Sequence, residues 1–167
     1  MTALYRKATW ADLEALWAGS IAENPGDPRY PRWRDQFIAD NESGAAATFA
    51  VVIDDVPVGE GTLLFSPDCR AVRGRLCLAD GRSTANINAL RIRPEWEGRG
   101  HISRLVRLME SYARDMGFDR ITIGVEATEE RNRAIYAHWN YVNLVLEETE
   151  DETQVLYYAK VLDGPSV

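Results

Sequence analysis

The run Leu90-Arg-Ile-Arg-Pro-Glu-Trp-Glu-Gly-Arg-Gly-His-Ile-Ser103 constrains this chain more than any other stretch. It starts with strand-like alternation, breaks at Pro94, passes two glycines and opens a helix. Ile102, Leu105, Val106, Met109, Tyr112, Ala113 and Met116 then recur at three- and four-residue steps, one apolar stripe. Gly117 suits the left-handed cap that ends such a helix. Gly98 and Gly100 permit positive φ and close backbone approach. The first helical turn therefore presents unpaired N–H groups and the positive end of the dipole, which suits a pyrophosphate. The run is not a Rossmann fingerprint, because a third glycine is missing, nor a P-loop, because no Gly-Lys-Ser/Thr follows. Alone it equally describes an ordinary strand-to-helix turn.

On either side of this run the periodicities give an element order. Ala3–Lys7 reads as a strand. Thr9 is an N-cap with Asp12 in the first turn, ahead of Leu13, Leu16 and Trp17. A second helix is expected over Pro31–Asp40 with Trp33, Phe37 and Ile38 inward, and Gly44 marks the next turn. Strands Thr48–Ile53 and Val56–Phe65 flank the hairpin connection Asp54-Asp55. Ser66–Ser83, with Arg70, Arg73, Arg75 and Arg82, reads as a solvated excursion loop. Ala85–Arg93 is strand-like, Arg120–Val125 alternates Ile121, Ile123 and Val125, and Glu129–His138 is a short helix. Strands near Tyr141–Glu147 and Thr153–Val161 follow, giving βααβββαβαββ. That order predicts a single α/β domain over 1–163, a mixed central sheet flanked by helices, and a short tail at 164–167.

Composition removes several function classes. The 167 residues are 46% hydrophobic and 27% charged, enough for one core without staples. A net charge of −7 argues against nucleic-acid binding and permits a cationic substrate. No apolar run is long enough for a membrane span, and Met1–Arg6 opens no signal peptide. Cys69 and Cys77 form no metal-ligand pattern and favour a reduced, cytoplasmic chain over a Cys69–Cys77 disulfide. His101 and His138 are too scattered for a metal site and read as surface or packing residues.

The downstream context resolves the glycine turn. Ile92-Arg93-Pro94 leads into Glu97-Gly-Arg-Gly100-His-Ile102, followed by the amphipathic helix, by Ile121-Thr-Ile-Gly-Val125, and by Tyr136-Ala-His-Trp-Asn140-Tyr141. In these motifs and their spacing the chain resembles the GNAT (general N-acetyltransferase) superfamily, closely over Ala85–Glu147 and in element order over almost its whole length. The family's Q/R-x-x-G-x-G/A motif carries Glu97 in its first position and Ile102 in its last. Asn140-Tyr141 stands for the family's Gly-Phe, and Glu129 for its Asn, with Asn132 nearby.

The resemblance implies a GNAT fold and transfer of acetyl from acetyl-CoA, as co-substrate and with no metal, to a primary amine in a ternary complex. The amine belongs to a small molecule or a peptide, and a homodimer is open. Coenzyme contacts would come from the backbone of Leu90 and Ile92, from Gly98, Arg99, Gly100, His101, Ile102 and Ser103, and from Asn132. The Ile102 side chain is expected to turn into the core. Tyr136 would protonate the leaving thiolate. Glu126, at the carboxyl end of its strand, and Glu60, inside Val58-Gly-Glu-Gly61, are the candidate bases. Each has a plain alternative: a packed tyrosine, a solvated glutamate. Asn86 and Asn88 either orient the acceptor or lie solvated at an edge. The acidic run Glu147–Glu152 either caps a solvated hairpin or attracts a cation. A non-catalytic acyl-CoA-binding module on the same fold is the rival function, and an interaction domain ranks behind both.

Overall fold

Local rules explain most element boundaries. In a computed structural model that describes residues 1–163, β1 (Ala3–Lys7) leads to Thr9, which caps α1 (Trp10–Glu23). The Thr9 hydroxyl accepts the Asp12 N–H at 3.1 Å, and the Asp12 carboxylate accepts the Thr9 N–H at 3.0 Å, a reciprocal capping box. Burial pushes the Asp12 carboxyl up, but bonds from Arg6 and Thr9 outweigh it and hold the group below its ordinary value. Next come α2 (Arg29–Ser43), β2 (Ala46–Ile53) and β3 (Val56–Leu64). Asp54 and Asp55, at φ 47° and 68°, make the tight turn between β2 and β3. Then follow β4 (Thr84–Ile92), a 3-10 turn (Pro94–Trp96), α3 (His101–Asp115), β5 (Arg120–Glu126), α4 (Glu130–His138), β6 (Asn143–Glu150) and β7 (Thr153–Val161). The expected tail at 164–167 lies outside the described residues.

The strands form one mixed sheet in the order β1-β2-β3-β4-β5-β7-β6, a single α/β domain whose contacts fall into two compact units. The first holds Met1–Leu63 and Ala89–Ser111. Its centre is β2, apolar throughout and wholly buried, paired antiparallel with β1. Leu13 and Trp17 of α1 are buried, and Phe37 of α2 meets Trp17 at 5.3 Å. α2 is longer than its periodicity predicted, and Trp33, Phe37 and Ile38 are only half-buried.

The second unit holds Leu64–Asn88 and the chain from Tyr112 onward. Here β4 runs parallel to β5, and β7 lies antiparallel to both β5 and β6. Ser66–Ser83 contains no helix or strand, but it is not a solvated loop. Cys69, Val72, Leu78 and Ala79 are buried, and the Leu78 carbonyl accepts the buried Thr122 hydroxyl at 2.8 Å. Arg75 is half-buried and paired, a correction considered below.

Two helices end alike. After α3, Gly117 takes φ 93°, with N–H bonds from Gly117 to the Arg114 carbonyl and from Phe118 to the Ala113 carbonyl. After α4, Asn140 takes φ 73°, with bonds from Asn140 to Ala137 and from Tyr141 to Tyr136. Both are Schellman caps, and asparagine is the residue after glycine that best tolerates this conformation. Asn140-Tyr141 therefore does the structural work of Gly-Phe, with Tyr141 fully buried. Met116 does not join the apolar stripe of α3; it is exposed, because the helix ends at Asp115.

Candidate active site

In the first unit the second half of β4 is the edge strand. Its parallel pairing with β5 is registered over Thr84–Ile87 only, and Ala89 then takes φ 53°, a kink rare for alanine. Leu90 and Ile92 follow, half-buried, with β3 pressed against them. A Cβ on Gly61 would sit 2.8 Å from Leu90 and 2.9 Å from the Met109 sulfur, so only glycine fits there. Beyond the Pro94–Trp96 turn, Gly98 and Gly100 take φ 73° and 81°. No atom crowds either glycine, so conformation rather than space requires them. The first α3 bond outside its own ladder runs from the Arg104 N–H to the Gly100 carbonyl. The amides of His101, Ile102 and Ser103 therefore have no acceptor within the helix, the arrangement an anion needs.

His101, not Ile102, is the inward residue of this turn. It is 4% exposed, with Nδ1 at 2.7 Å from the Tyr5 hydroxyl, and Arg104 donates to the same hydroxyl at 3.3 Å. Burial lowers its imidazole below the ordinary value, and Arg104 and Arg99 act in the same direction. Its Nε2 is buried without a partner among the described residues. Ile102 is half-buried at the edge of the stripe, a partial correction to its expected core position.

Glu60 is the second feature of this unit. Its side chain is 3% exposed inside β3, and Arg91 of β4 reaches Oε1 with Nη2 at 2.8 Å and Nε at 3.0 Å. Burial pushes the carboxyl up, while the Arg91 charge and hydrogen bond oppose that without cancelling it. The Arg91 guanidinium also lies 5.1 Å over the Trp17 ring.

In the second unit, Glu126 is exposed at the end of β5, its carbonyl accepting the Glu129 N–H at 3.0 Å. Glu129 Oε2 accepts the Asn132 amide at 2.8 Å at the start of α4. Tyr136 is half-buried and stacks on Trp139 at 5.7 Å. Burial, then the Glu129 charge, push its hydroxyl above the ordinary tyrosine value, so it remains protonated at neutral pH. Asn86 is neither an acceptor contact nor an edge residue. It is buried and donates to the Thr122 hydroxyl at 3.0 Å. Asn88 is half-buried and His138 exposed. Cys69 and Cys77 are free thiols, and among the described residues no His, Cys, Asp and Glu side chains converge as metal ligands.

Sequence reasoning missed the partners. A glutamate in an apolar strand demands a cation, and that demand is the signal for Arg91. Arg75 is not a solvated loop residue; it binds Glu148 and Glu150 at 2.8 Å each. Those two glutamates are thereby committed, whereas Glu147, Asp151 and Glu152 are exposed, as a solvated hairpin would have them.

Residues 10–141 match the Acetyltransferase (GNAT) family model. The chain belongs to that family. It is an acetyltransferase by family, and solved structures carry the same fold. An N-acetyltransferase from Staphylococcus aureus Mu50 is 15% identical, with 98% of this chain and 100% of that one covered, at TM-score 0.72. Ribosomal-protein-alanine N-acetyltransferase from Brucella melitensis is 18% identical, with 95% and 99% covered, at 0.71. RimL, a ribosomal L7/L12 alpha-N-protein acetyltransferase in complex with coenzyme A, is 18% identical, with 99% and 97% covered, at 0.69. Identities this low carry the fold alone. No curated protein matches the chain significantly in sequence. Among the described residues no helix is long and apolar enough to cross a membrane.

Proposed function

We propose that this acetyltransferase transfers the acetyl group of acetyl-CoA directly to a primary amine. The observation that carries this is the continuous backbone feature of the first unit: the unpaired edge at Leu90–Ile92, the positive-φ glycines Gly98 and Gly100, and the free amides of the first α3 turn. Acetyl-CoA supplies the thioester: an N–C bond forms as the C–S bond breaks, one proton of the ammonium ends on the thiolate and another goes to solvent. Leu90 and Ile92 hold and polarise the acyl arm through their main-chain groups. Gly98, Arg99, Gly100, His101, Ile102 and Ser103 hold the pyrophosphate, and Asn132 is a further coenzyme contact.

Tyr136, protonated at neutral pH as any tyrosine is, serves as the acid. Of the two carboxylates, Glu60 suits proton acceptance better than the exposed Glu126, because burial raises it toward the working pH. The free thiols fit a reducing compartment such as the cytoplasm. Two of the structural neighbours are named for ribosomal proteins, so peptide N-termini belong in the acceptor screen beside small amines.

Acetyl-CoA at 100 times its dissociation constant should stabilise the protein by about 2.7 kcal/mol, read as a melting shift. A screen of amines for free thiol release tests transfer itself, and no turnover with any acceptor would leave a binding module. Tyr136→Phe should lower kcat by about 10²-fold at unchanged melting temperature, since a thiol is already a fair leaving group. An unchanged kcat, with chemistry rate-limiting, assigns Tyr136 to packing.

A further inference from the structure

His101 opens α3, and its backbone and side chain face different tasks. Its N–H is one of the three amides without an acceptor inside the helix, while its side chain turns inward and is buried. Around the ring stand two aromatic rings and two arginines, all in the first unit. Tyr5 of β1 lies 6.0 Å from it and Trp96 of the 3-10 turn 6.1 Å. Arg99 covers the Trp96 ring at 4.9 Å, and Arg104 stands 6.0 Å over the Tyr5 ring. Neither nitrogen of the imidazole has a carboxylate within 4.0 Å among the described residues.

The chemistry of these groups decides who donates. Arg104 only donates and reaches the Tyr5 hydroxyl at 3.3 Å, so that oxygen accepts from it. The hydroxyl hydrogen is then free for Nδ1, 2.7 Å away, and the neutral ring carries its own hydrogen on Nε2. This chain of three side chains ties the first turn of α3 to β1. Burial first, then Arg104 and Arg99, disfavour a charge on the ring, and the positive end of the helix dipole acts the same way.

An anion at the turn reverses that balance. A diphosphate on the α3 amides brings negative charge to the backbone of the same residue and offsets both arginines and the dipole. The Tyr5 tie survives a proton on Nδ1, because a hydroxyl rotates. Its oxygen then accepts from Nδ1–H as well as from Arg104, and its hydrogen turns to solvent, since Tyr5 is half-buried. Nε2 keeps its hydrogen in both states.

We infer that His101 is a positioning residue for the coenzyme: through Tyr5 it fixes the first amide of α3, and its ring takes a proton from solvent when the diphosphate docks. This rests on the coenzyme placement proposed above and adds to it a dependence on pH. By linkage, a group that gains a proton on binding makes the ligand bind more tightly as pH falls. The gain develops as pH falls through the titration of the bound form and is absent well above it.

Titration calorimetry of the full chain with 3′-dephospho-CoA tests this at about pH 5.5 and about pH 7.5, in two buffers of different ionisation enthalpy. That probe keeps the diphosphate and lacks the phosphomonoester, which itself titrates near about 6. The expected result is proton uptake with binding at the lower pH, little at the higher, and affinity about threefold or more tighter at the lower. His101→Asn keeps an acceptor for the Tyr5 hydroxyl but does not titrate, so it should lose both the uptake and the acid-side gain. Tyr5→Phe should weaken binding about three- to tenfold at the higher pH, with a melting curve to show the fold intact. Binding without proton uptake at the lower pH would overturn the inference, as would uptake that persists in His101→Asn. Unaltered affinity in Tyr5→Phe would overturn the positioning role. Failure of the probe to bind at either pH would instead remove the coenzyme placement on which the inference stands.

Discussion

Arg75 and Arg91 each meet a glutamate from a distant part of the chain, yet the two systems finish differently. Arg75 in the second unit is saturated. It bonds Glu148, Glu150, the Val72 and Ala71 carbonyls and the Tyr157 hydroxyl, and lies 5.1 Å over the Tyr157 ring. The Tyr157 hydroxyl donates in turn to both Glu150 oxygens, at 3.0 and 2.9 Å. Burial works against the Arg75 charge, but Tyr157 and Glu150 more than offset it and raise the group further. Arg91 in the first unit satisfies one oxygen of Glu60, a residue that lines a cavity, and leaves the other without a hydrogen bond from the described residues. A closed polar network stiffens the fold, since every charge has its answer inside it. An open one of the same chemistry keeps an unmet hydrogen bond available to a ligand. Completeness, rather than the presence of a buried ion pair, separates structure from function here.

The comparison breaks most visibly on removal of the cations. Arg75→Met should cost about 3 kcal/mol in urea denaturation, because it removes five donated bonds at once and leaves Glu150 with the Tyr157 hydroxyl and a 3.9 Å contact to Arg73. Arg91→Met should cost less than half as much, since burial already raises Glu60 and the acid can take a proton instead of remaining an unpaired charge. Equal losses would erase the distinction between the closed and the open network. The activity test runs the other way. Glu60→Gln should lower kcat/KM about 100-fold, roughly 2.7 kcal/mol, while Glu150→Gln, assayed well below its melting temperature, stays within about twofold.

Two glycines sharpen the contrast at smaller scale. A Cβ on Gly124 would lie 2.6 Å from Cε1 of Tyr157, a ring fixed by the Arg75 network, so Gly124→Ala should cost about 2 kcal/mol. Gly19→Ala in α1, where an added Cβ meets nothing within 4 Å, should gain about 0.5–1 kcal/mol. Thermal melts of both variants check the pair, and a stable Gly124→Ala would show that the Tyr157 ring is free to move.

The sequence by itself determined the order βααβββαβαββ, the capping box at Thr9, the glycine turn before α3, the cap at Gly117 and β7 at Thr153–Val161. These rest on bonds and side-chain periods that repeat within a few residues, so a linear reading contains them. The spacing of the glycine turn, the Val125 strand and Tyr136 was equally legible, because family motifs fix backbone features at short range. Tertiary structure alone decided that Asn86 is buried against Thr122, that His101 rather than Ile102 turns inward, and that Ser66–Ser83 buries Cys69, Val72, Leu78 and Ala79. It alone matched Arg91 to Glu60 across 31 residues and Arg75 to Glu148 across 73. A charge chooses its partner by where packing delivers it. Nothing in the local pattern around either arginine encodes that distance, and nothing around Glu60 encodes that one of its oxygens would be left without a donor.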